Sequence, residues 1–194
     1  MATPVYLTPP ELWVLFGVGL LLGSRELIVR QYLGLGDRPA ADGAGSFWVL
    51  WAATAAGTTV AVVAPLAGVG TLPAPNGSFW LGVVVMLVGF AVRMTAVVTL
   101  GEQFSHRVVV ADREVVDTGP YAWVRHPSYT GAVVTYLGVG VACGNWVSVV
   151  AATGGAIVGY GHRVRLEERT LRRELEDYAA YTRKVPYRLI PFVW

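Results

Sequence analysis

The sequence predicts an all-α integral membrane protein of about five transmembrane helices, ending in a tight C-terminal helical hairpin and a cytosolic amphipathic helix. Three observations predict this fold. Of the 194 residues, 54% are hydrophobic and only 14% charged, where soluble domains carry about a quarter charged residues. The mean hydropathy is +0.51. Apolar stretches of bilayer-spanning length recur along the chain, and the basic residues between them are unevenly shared among the connections. Residues 1–100 read as an N-terminal three-span membrane region. Residues 101–194 read as the region that carries chemistry, and the two form one integrated domain.

The start, Met1 to Pro10, lacks the basic stretch of a signal peptide, so the first apolar segment, Glu11–Val29, is expected to remain as a span. It is apolar to Leu22 and carries Arg25, Glu26 and Arg30 at its far end. A Gly/Asp/Pro/Ala loop follows over Gly34–Gly45. The second segment, Phe47–Val69, holds Pro65, which predicts a kink near its end. After a turn-rich link, Thr71–Ser78, the third segment runs Phe79–Leu100 and contains Arg93. An arginine at that depth snorkels or faces a polar cavity, as half of an ion pair or as a ligand contact.

The polar stretch Gly101–Arg125 holds Val108–Val110 and Val115–Val116 around a turn, which predicts short extended pieces. Pro127–Gly161 contains no Asp, Glu, Lys or Arg. At about 1.5 Å per helical residue it overshoots one span, and Gly144-Asn145 near its middle predicts the turn of a hairpin. Gly140/Gly144 and Gly155/Gly159 are small-xxx-small pairs of the kind that let helices approach closely in lipid. From His162 to Tyr181 the chain turns rich in Arg and Glu, with Leu171, Leu175 and Tyr178 on one helical stripe. The two prolines of Val185–Pro191 predict an extended tail.

The first connection and its approach carry Arg25, Arg30 and Arg38; the third carries Arg107, Arg113 and Arg125; and eight of the fifteen basic residues follow the last span. The N-terminal tail and the second and fourth connections carry none. The positive-inside rule then sets the N-terminus outside and the C-terminus in the cytosol. The connector Gly119–Gly131 and the charged C-terminal helix meet on the same, cytosolic face.

Pro127 suits the first turn of a helix and keeps His126 out of the α region, so His126 is expected at a helix N-terminus beside free backbone N–H groups. Tyr121, Arg125, His126 and Tyr129 from the connector converge with Arg163, Glu167 and Glu168 from the C-terminal helix. Arg163 and Glu167 lie four residues apart on one face, which describes either a plain intrahelical pair or part of a site. Arg169, Arg172, Arg173, Glu174 and Glu176 read as a solvated or headgroup-facing surface. There is no G-x-G-x-x-G, Walker A or H-E-x-x-H motif. His106, His126 and His162 lack metal spacing, and the single cysteine, Cys143, lies in an apolar run, so no metal is expected. The basic residues hug a membrane face with no soluble domain beside them, which argues against nucleic acid.

At these residues the sequence resembles the isoprenylcysteine carboxyl methyltransferase family, within a group that includes phospholipid N-methyltransferases. The resemblance is carried by Glu114–Tyr121, by Arg125-His126-Pro127-Ser128-Tyr129-Thr130-Gly131, and by Arg163 with Glu167-Glu168. Tyr178, Tyr181 and Val185-Pro186 extend it through the tail. It implies an S-adenosyl-L-methionine pocket built by the membrane fold itself. The cofactor residues it implies are Arg113, Glu114, Val115, Val116, Tyr121, His126, Pro127, Ser128, Tyr129 and Glu167, with Arg163 contacting substrate and, with Glu167, acting in catalysis. The implied reaction is carboxyl O-methylation of a prenylcysteine-like, lipophilic acceptor drawn from membrane lipid. Amine methylation of a phospholipid, an NADPH-dependent membrane reductase sharing an H-P-x-Y element, and a non-catalytic binding protein are the alternatives. Two departures from the family pattern stand out: Val110 replaces a frequent glutamine, and Leu175 replaces a Phe-Gly pair near the end of the C-terminal helix.

Overall fold

The computed structural model of the chain describes residues 3–32, 43–68, 70–101 and 115–194, with side chains over the same ranges except 23–32 and 43–44. Among the described residues six α-helices follow one another: α1 Glu11–Tyr32, α2 Gly43–Val63, α3 Pro75–Leu100, α4 Pro127–Ala142, α5 Trp146–Glu174 and α6 Tyr178–Lys184. Short 3₁₀ turns lie at Val5–Leu7, Ala64–Ala67 and Gly119–Ala122. Among the described residues one isolated bridge, Thr71 with Asn145, is the sole β-type pairing. The structure is therefore all-helical. The stretch Gly45–Ala67, within α2 and its 3₁₀ extension, and the whole of α3 are each long and apolar enough to cross a membrane. Large apolar side chains on these helices point outward, as Trp48, Trp51, Leu81 and Val84 do. Such outward apolar faces suit lipid and not water.

Backbone proximity, more than bulky side chains, joins the helices. α3 lies along α4, and α2 along α5, with α4 and α5 packed between the two pairs. On the α3–α4 seam, a Cβ added to Gly89 would meet Thr135 N at 2.5 Å, and one on Gly138 would meet Met86 N at 2.5 Å. Gly82 and Gly131 are equally closed, by Ala142 and by Gly89 O. On the α2–α5 seam Gly57 and Gly155 face one another, and Gly159 admits Leu50. Gly140 lets α4 approach Val149 of α5. Such contacts gain dispersion energy where lipid gives no hydrophobic drive between helices. Of the small-residue pairs the sequence suggests, Gly155/Gly159 and Gly140 pack in this way. Gly144 does not: its Cα faces open space and its φ of 65° serves the turn.

The hairpin turn falls where Gly144-Asn145 predicts it. Buried Asn145 caps α5 by accepting from the Val147 and Ser148 amides, the former at 2.8 Å. The link between α2 and α3 is fastened to this tip, with Leu72 N donating to Gly144 O and Trp146 N to Gly70 O, both 2.8 Å. At the same end, Tyr6, Phe79, Val83 and Met86 form a cluster against which Val14, Leu15, Val18 and Leu22 of α1 pack.

Two expectations need correction. Pro65 ends α2 instead of kinking it: the helix stops at Val63, and the chain tightens into the 3₁₀ turn that closes on Gly68 at φ 70°. Proline removes an amide and crowds the preceding turn, which favours this ending. The charged helix also stops short of Tyr181. α5 runs unbroken to Glu174, Leu175 is extended at φ −116° and ψ 112°, and α6 begins at Tyr178. The break lets Tyr178, Tyr181 and Val185 fold back against Leu171, Leu175 and Val115. The loop expected over Gly34–Gly45 and the extended pieces at Val108–Val110 fall largely outside the described residues, and Val115–Asp117 is irregular.

Gly138→Ala should lower thermal stability in detergent, by about 1–3 kcal/mol for overpacking a closed seam. Gly154→Ala, where an added Cβ meets nothing within 4 Å, should be neutral or stabilising through helix propensity. Equal melting temperatures for the two variants would show that the seam is not tightly closed.

Candidate active site

Pro127 opens α4 as expected, with His126 at the cap position (φ −127°, ψ 59°). The side chain of His126 makes no cap hydrogen bond, so it is free to turn toward α5. The backbone there is held by the tail: Arg125 N donates to Tyr187 O and His126 N to Arg188 O, each at 2.9 Å. The amides of Tyr129 and Thr130 donate to His126 O. The amides of Arg125, His126, Tyr129 and Thr130 thus already have acceptors, and the helix start is less open to an anion than the sequence suggests. Thr130 Oγ1 adds a 2.7 Å bond to Leu189 O.

A buried carboxylate gathers these pieces. Glu168 Oε1 accepts from Arg125 Nε at 2.7 Å and Oε2 accepts from Arg188 Nε at 2.9 Å. His126 Nε2 stands 3.5 Å from Oε1, too long and poorly aligned for a formed hydrogen bond. Arg125 spends Nη1 on the carbonyls of Val185 and Pro186, at 2.8 and 2.9 Å. Burial acts to raise the Glu168 pKa, but His126, Arg188 and Arg125 outweigh it and bring it from 4.5 down to about 2.

Beside this knot lies a second, less satisfied group. Glu167 Oε2 is 3.7 Å from His126 Nδ1. Both Glu167 Oε2 and His126 Nε2 are buried without a hydrogen-bond partner among the described residues. The His126 ring stacks on Tyr129 at 5.8 Å and 8°. Tyr129 OH accepts from Arg163 Nε at 2.9 Å, and its ring meets Tyr160. Tyr121 is buried, and burial, then the charge of Glu167, push its phenol far above the ordinary value. Its carbonyl accepts from Tyr181 OH at 2.8 Å. At the base Arg93 Nη1 donates to Ser128 O and Oγ, at 3.2 and 3.1 Å. Arg93 is therefore a buried donor that fastens α3 to the start of α4, a use the sequence reading had not weighed.

The structure brings Tyr121, His126, Pro127, Ser128, Tyr129, Arg163 and Glu167 to one end of the α4–α5 pair. The Val115 side chain packs on Tyr178, Tyr181 and Val185, and Val116 is half-buried beside it in sequence. Arg113, Glu114, His106 and Val110 lie outside the described residues. Arg169, Arg172, Arg173, Glu174 and Glu176 are exposed, as a solvated surface requires. Sequence reasoning grouped Glu168 with the site but gave it no role, and it missed Arg188 entirely. The one signal for Arg188 was a lone basic residue between the two tail prolines. Among the described residues no group of three or more His, Cys, Asp or Glu is placed to hold a metal ion.

Comparison with known proteins bears on this arrangement. The model of the isoprenylcysteine carboxyl methyltransferase (ICMT) family matches residues 80–173, which include the connector and both glutamates. Protein-S-isoprenylcysteine O-methyltransferase B of Arabidopsis thaliana is 28% identical over 141 residues, covering 69% of this chain and 71% of that protein. The Xenopus laevis protein-S-isoprenylcysteine O-methyltransferase is 32% identical over 117 residues, covering 58% of this chain but 40% of its own length. The solved structure of the eukaryotic intramembrane Ras methyltransferase ICMT superposes with a TM-score of 0.68 at 23% identity, covering 96% of this chain and 69% of that one. The chain thus shares the fold of that solved structure. Residues 80–173 of the chain, which hold the site, are similar to the isoprenylcysteine carboxyl methyltransferase family.

Glu168→Ala should cost about 3–5 kcal/mol by leaving Arg125 buried and unpaired. The acid dependence has a definite sign. A carboxyl whose folded pKa is depressed adds stability above its unfolded value, and that contribution fades as pH falls from 4.5 toward about 2. The melting-temperature gap between wild type and Glu168→Gln should hold constant above pH 5 and narrow below 4. A gap that stays flat to pH 2 would contradict the assignment.

Proposed function

We propose that this chain is an integral-membrane, S-adenosyl-L-methionine-dependent methyltransferase that esterifies the carboxylate of a prenylcysteine-like, lipophilic acceptor. The similarity of residues 80–173 to the isoprenylcysteine carboxyl methyltransferase family supports the reaction class. The observation that carries the site is the buried, unpartnered Glu167 Oε2 beside His126, Tyr121 and Tyr129. A carboxylate oxygen without a donor is costly to bury. It is relieved by a cationic amino group, which S-adenosylmethionine possesses. The donor set therefore fits the cofactor, with Glu167 on its ammonium and the aromatic rings of Tyr121, His126 and Tyr129 beside its body. Arg113, Glu114, Val115, Val116, Pro127 and Ser128 complete the proposed cofactor segment. When bound, S-adenosylmethionine supplies an electrophilic methyl group.

The remaining chemistry belongs to the chain. An acceptor carboxylate is ionised at neutral pH, so its oxygen needs no general base. It needs alignment and the loss of its water shell. Arg163, buried and bonded to Tyr129, orients one carboxylate oxygen while the other is left to react. Tyr129 links the two halves of the site, since it stacks on His126 and holds Arg163. We further propose five spans, from α1, α2, α3, α4 and the first part of α5, with the N-terminus outside and the site cytosolic. The 29 residues of α5 extend about 43 Å at 1.5 Å each, beyond a hydrocarbon core of about 30 Å. Its charged end then stands in the cytosol with eight basic residues, as the positive-inside rule requires.

Calorimetry of S-adenosylmethionine on the purified protein in nanodiscs should give saturable binding, weakened about 10- to 100-fold in Glu167→Ala for the loss of one charge-assisted hydrogen bond. Arg163→Ala should bind the cofactor normally yet turn over far more slowly. Equal loss of affinity in both variants would refute this division of roles. Methyl groups released as methanol by base would identify the ester, and base-stable methyl groups an amine.

A further inference from the structure

The last turn of the tail is built in a way the site does not need. Phe192 is 87% exposed and Val193 74%, with Ile190 at 44%, on a segment otherwise held by nine backbone and side-chain bonds to the connector, to α4, to α5 and to itself. Phe192 also adopts φ +66°. A left-handed conformation is unfavourable for a bulky residue, and glycine would be the ordinary choice there. One edge of the Phe192 ring meets Tyr187 at 5.1 Å, and the rest is exposed; apolar surface held outward at a cost in backbone strain points to an apolar environment outside the polypeptide.

The position of the turn says what that environment is. Trp194 lies over Gly161, where an added Cβ would come within 3.7 Å of its ring. The Arg165 and Arg188 guanidiniums lie 5.9 and 5.3 Å from the same ring. Ile157, Gly161 and Arg165 are successive i, i+4 positions on one stripe of α5, and Ile157 is exposed on it. Arg163 and Glu167 occupy the opposite face. The turn therefore sits on the outer wall of α5, at the level where its apolar part gives way to charge. An apolar body with a tryptophan and arginines at its rim is the composition of a bilayer interface.

We propose that the tail turn Ile190–Val193 is an interfacial anchor, seated at the headgroup–acyl boundary of the bilayer with Trp194, Arg165 and Arg188 as its polar rim. Its partner is the lipid surface itself. The anchor is continuous with the strands of tail backbone that hold the Arg125 and His126 amides, so membrane contact is carried to the site through Tyr187 and Arg188.

The single cysteine, buried Cys143, makes the test direct. In a Cys143→Ala background, Phe192→Cys is spin-labelled in nanodiscs and its collision rates with oxygen and with a water-soluble nickel chelate are compared. Val150→Cys, on the exposed wall of α5, and Arg173→Cys, on the solvated surface, set the two limits. The oxygen-to-nickel ratio at position 192 should exceed that at 173 several-fold and fall short of that at 150. Val193→Cys repeats the measurement, should the first variant disturb the turn. Ratios at 192 and 193 equal to that at 173 would place the turn in water and overturn the anchor. This readout needs no cofactor and no turnover, so it stands or falls apart from the proposed reaction.

Discussion

The buried carboxylate of Glu168 is the interaction on which the rest of this end of the molecule depends. Its two oxygens are divided between Arg125 on one side and Arg188 on the other, with His126 close by. Two stretches distant in sequence, the connector and the tail, are thereby fixed to one point on α5. A charge removed from water in this way is tolerated because every cation that meets it is itself tied down: Arg125 by the Val185 and Pro186 carbonyls, and Arg188 by the aromatic ring of Trp194. The neighbouring Glu167 keeps an oxygen without a hydrogen-bond partner among the described residues, while both oxygens of Glu168 are taken. A filled site and an open one thus lie side by side on consecutive residues.

The glycine seams make that meeting geometrically available. Helices held apart by ordinary side chains sit about 8–10 Å axis to axis. Here Gly82, Gly89, Gly131 and Gly138 let α3 and α4 come into backbone contact, which delivers Arg93 to the Ser128 carbonyl. The packing of α4 on α5, closed at Gly140, sets His126 and Tyr129 at the height of Arg163 and Glu167. Packing of the scaffold and composition of the site are one problem in this fold, because the residue that starts α4 also lines the site.

Features governed by neighbouring residues were legible in the sequence. Pro127 opens a helix through its own fixed φ, and Gly144-Asn145 turns the chain through a positive φ and a side-chain cap; both were readable without tertiary knowledge. Arg163 with Glu167 was readable from helical spacing alone. What was hidden depends on distant partners. Helical periodicity cannot decide which of two adjacent glutamates is the deeper, since that is set by where the tail lies. Arg93 finds its acceptor 35 residues away, and nothing local announces it. Glycines seven apart are unremarkable in a chain with 23 of them until the facing helix is known. The end of α5 was misjudged because the Leu171–Tyr178 stripe fits a continuous helix as well as a folded-back one, and packing selects the second.

The fastening of the hairpin tip to the α2–α3 link bears on how the molecule moves. Leu72, Gly70 and Asn145 bind the two helix pairs together at the end of α4 remote from His126. Over the 16 residues of α4 that end is about 24 Å from the site. Arg125 with Glu168 and Tyr129 with Arg163 fasten α4 and α5 at the other end. A pair of rods pinned near both ends resists sliding and splaying alike, so the walls of the site stand at a set spacing before any ligand enters.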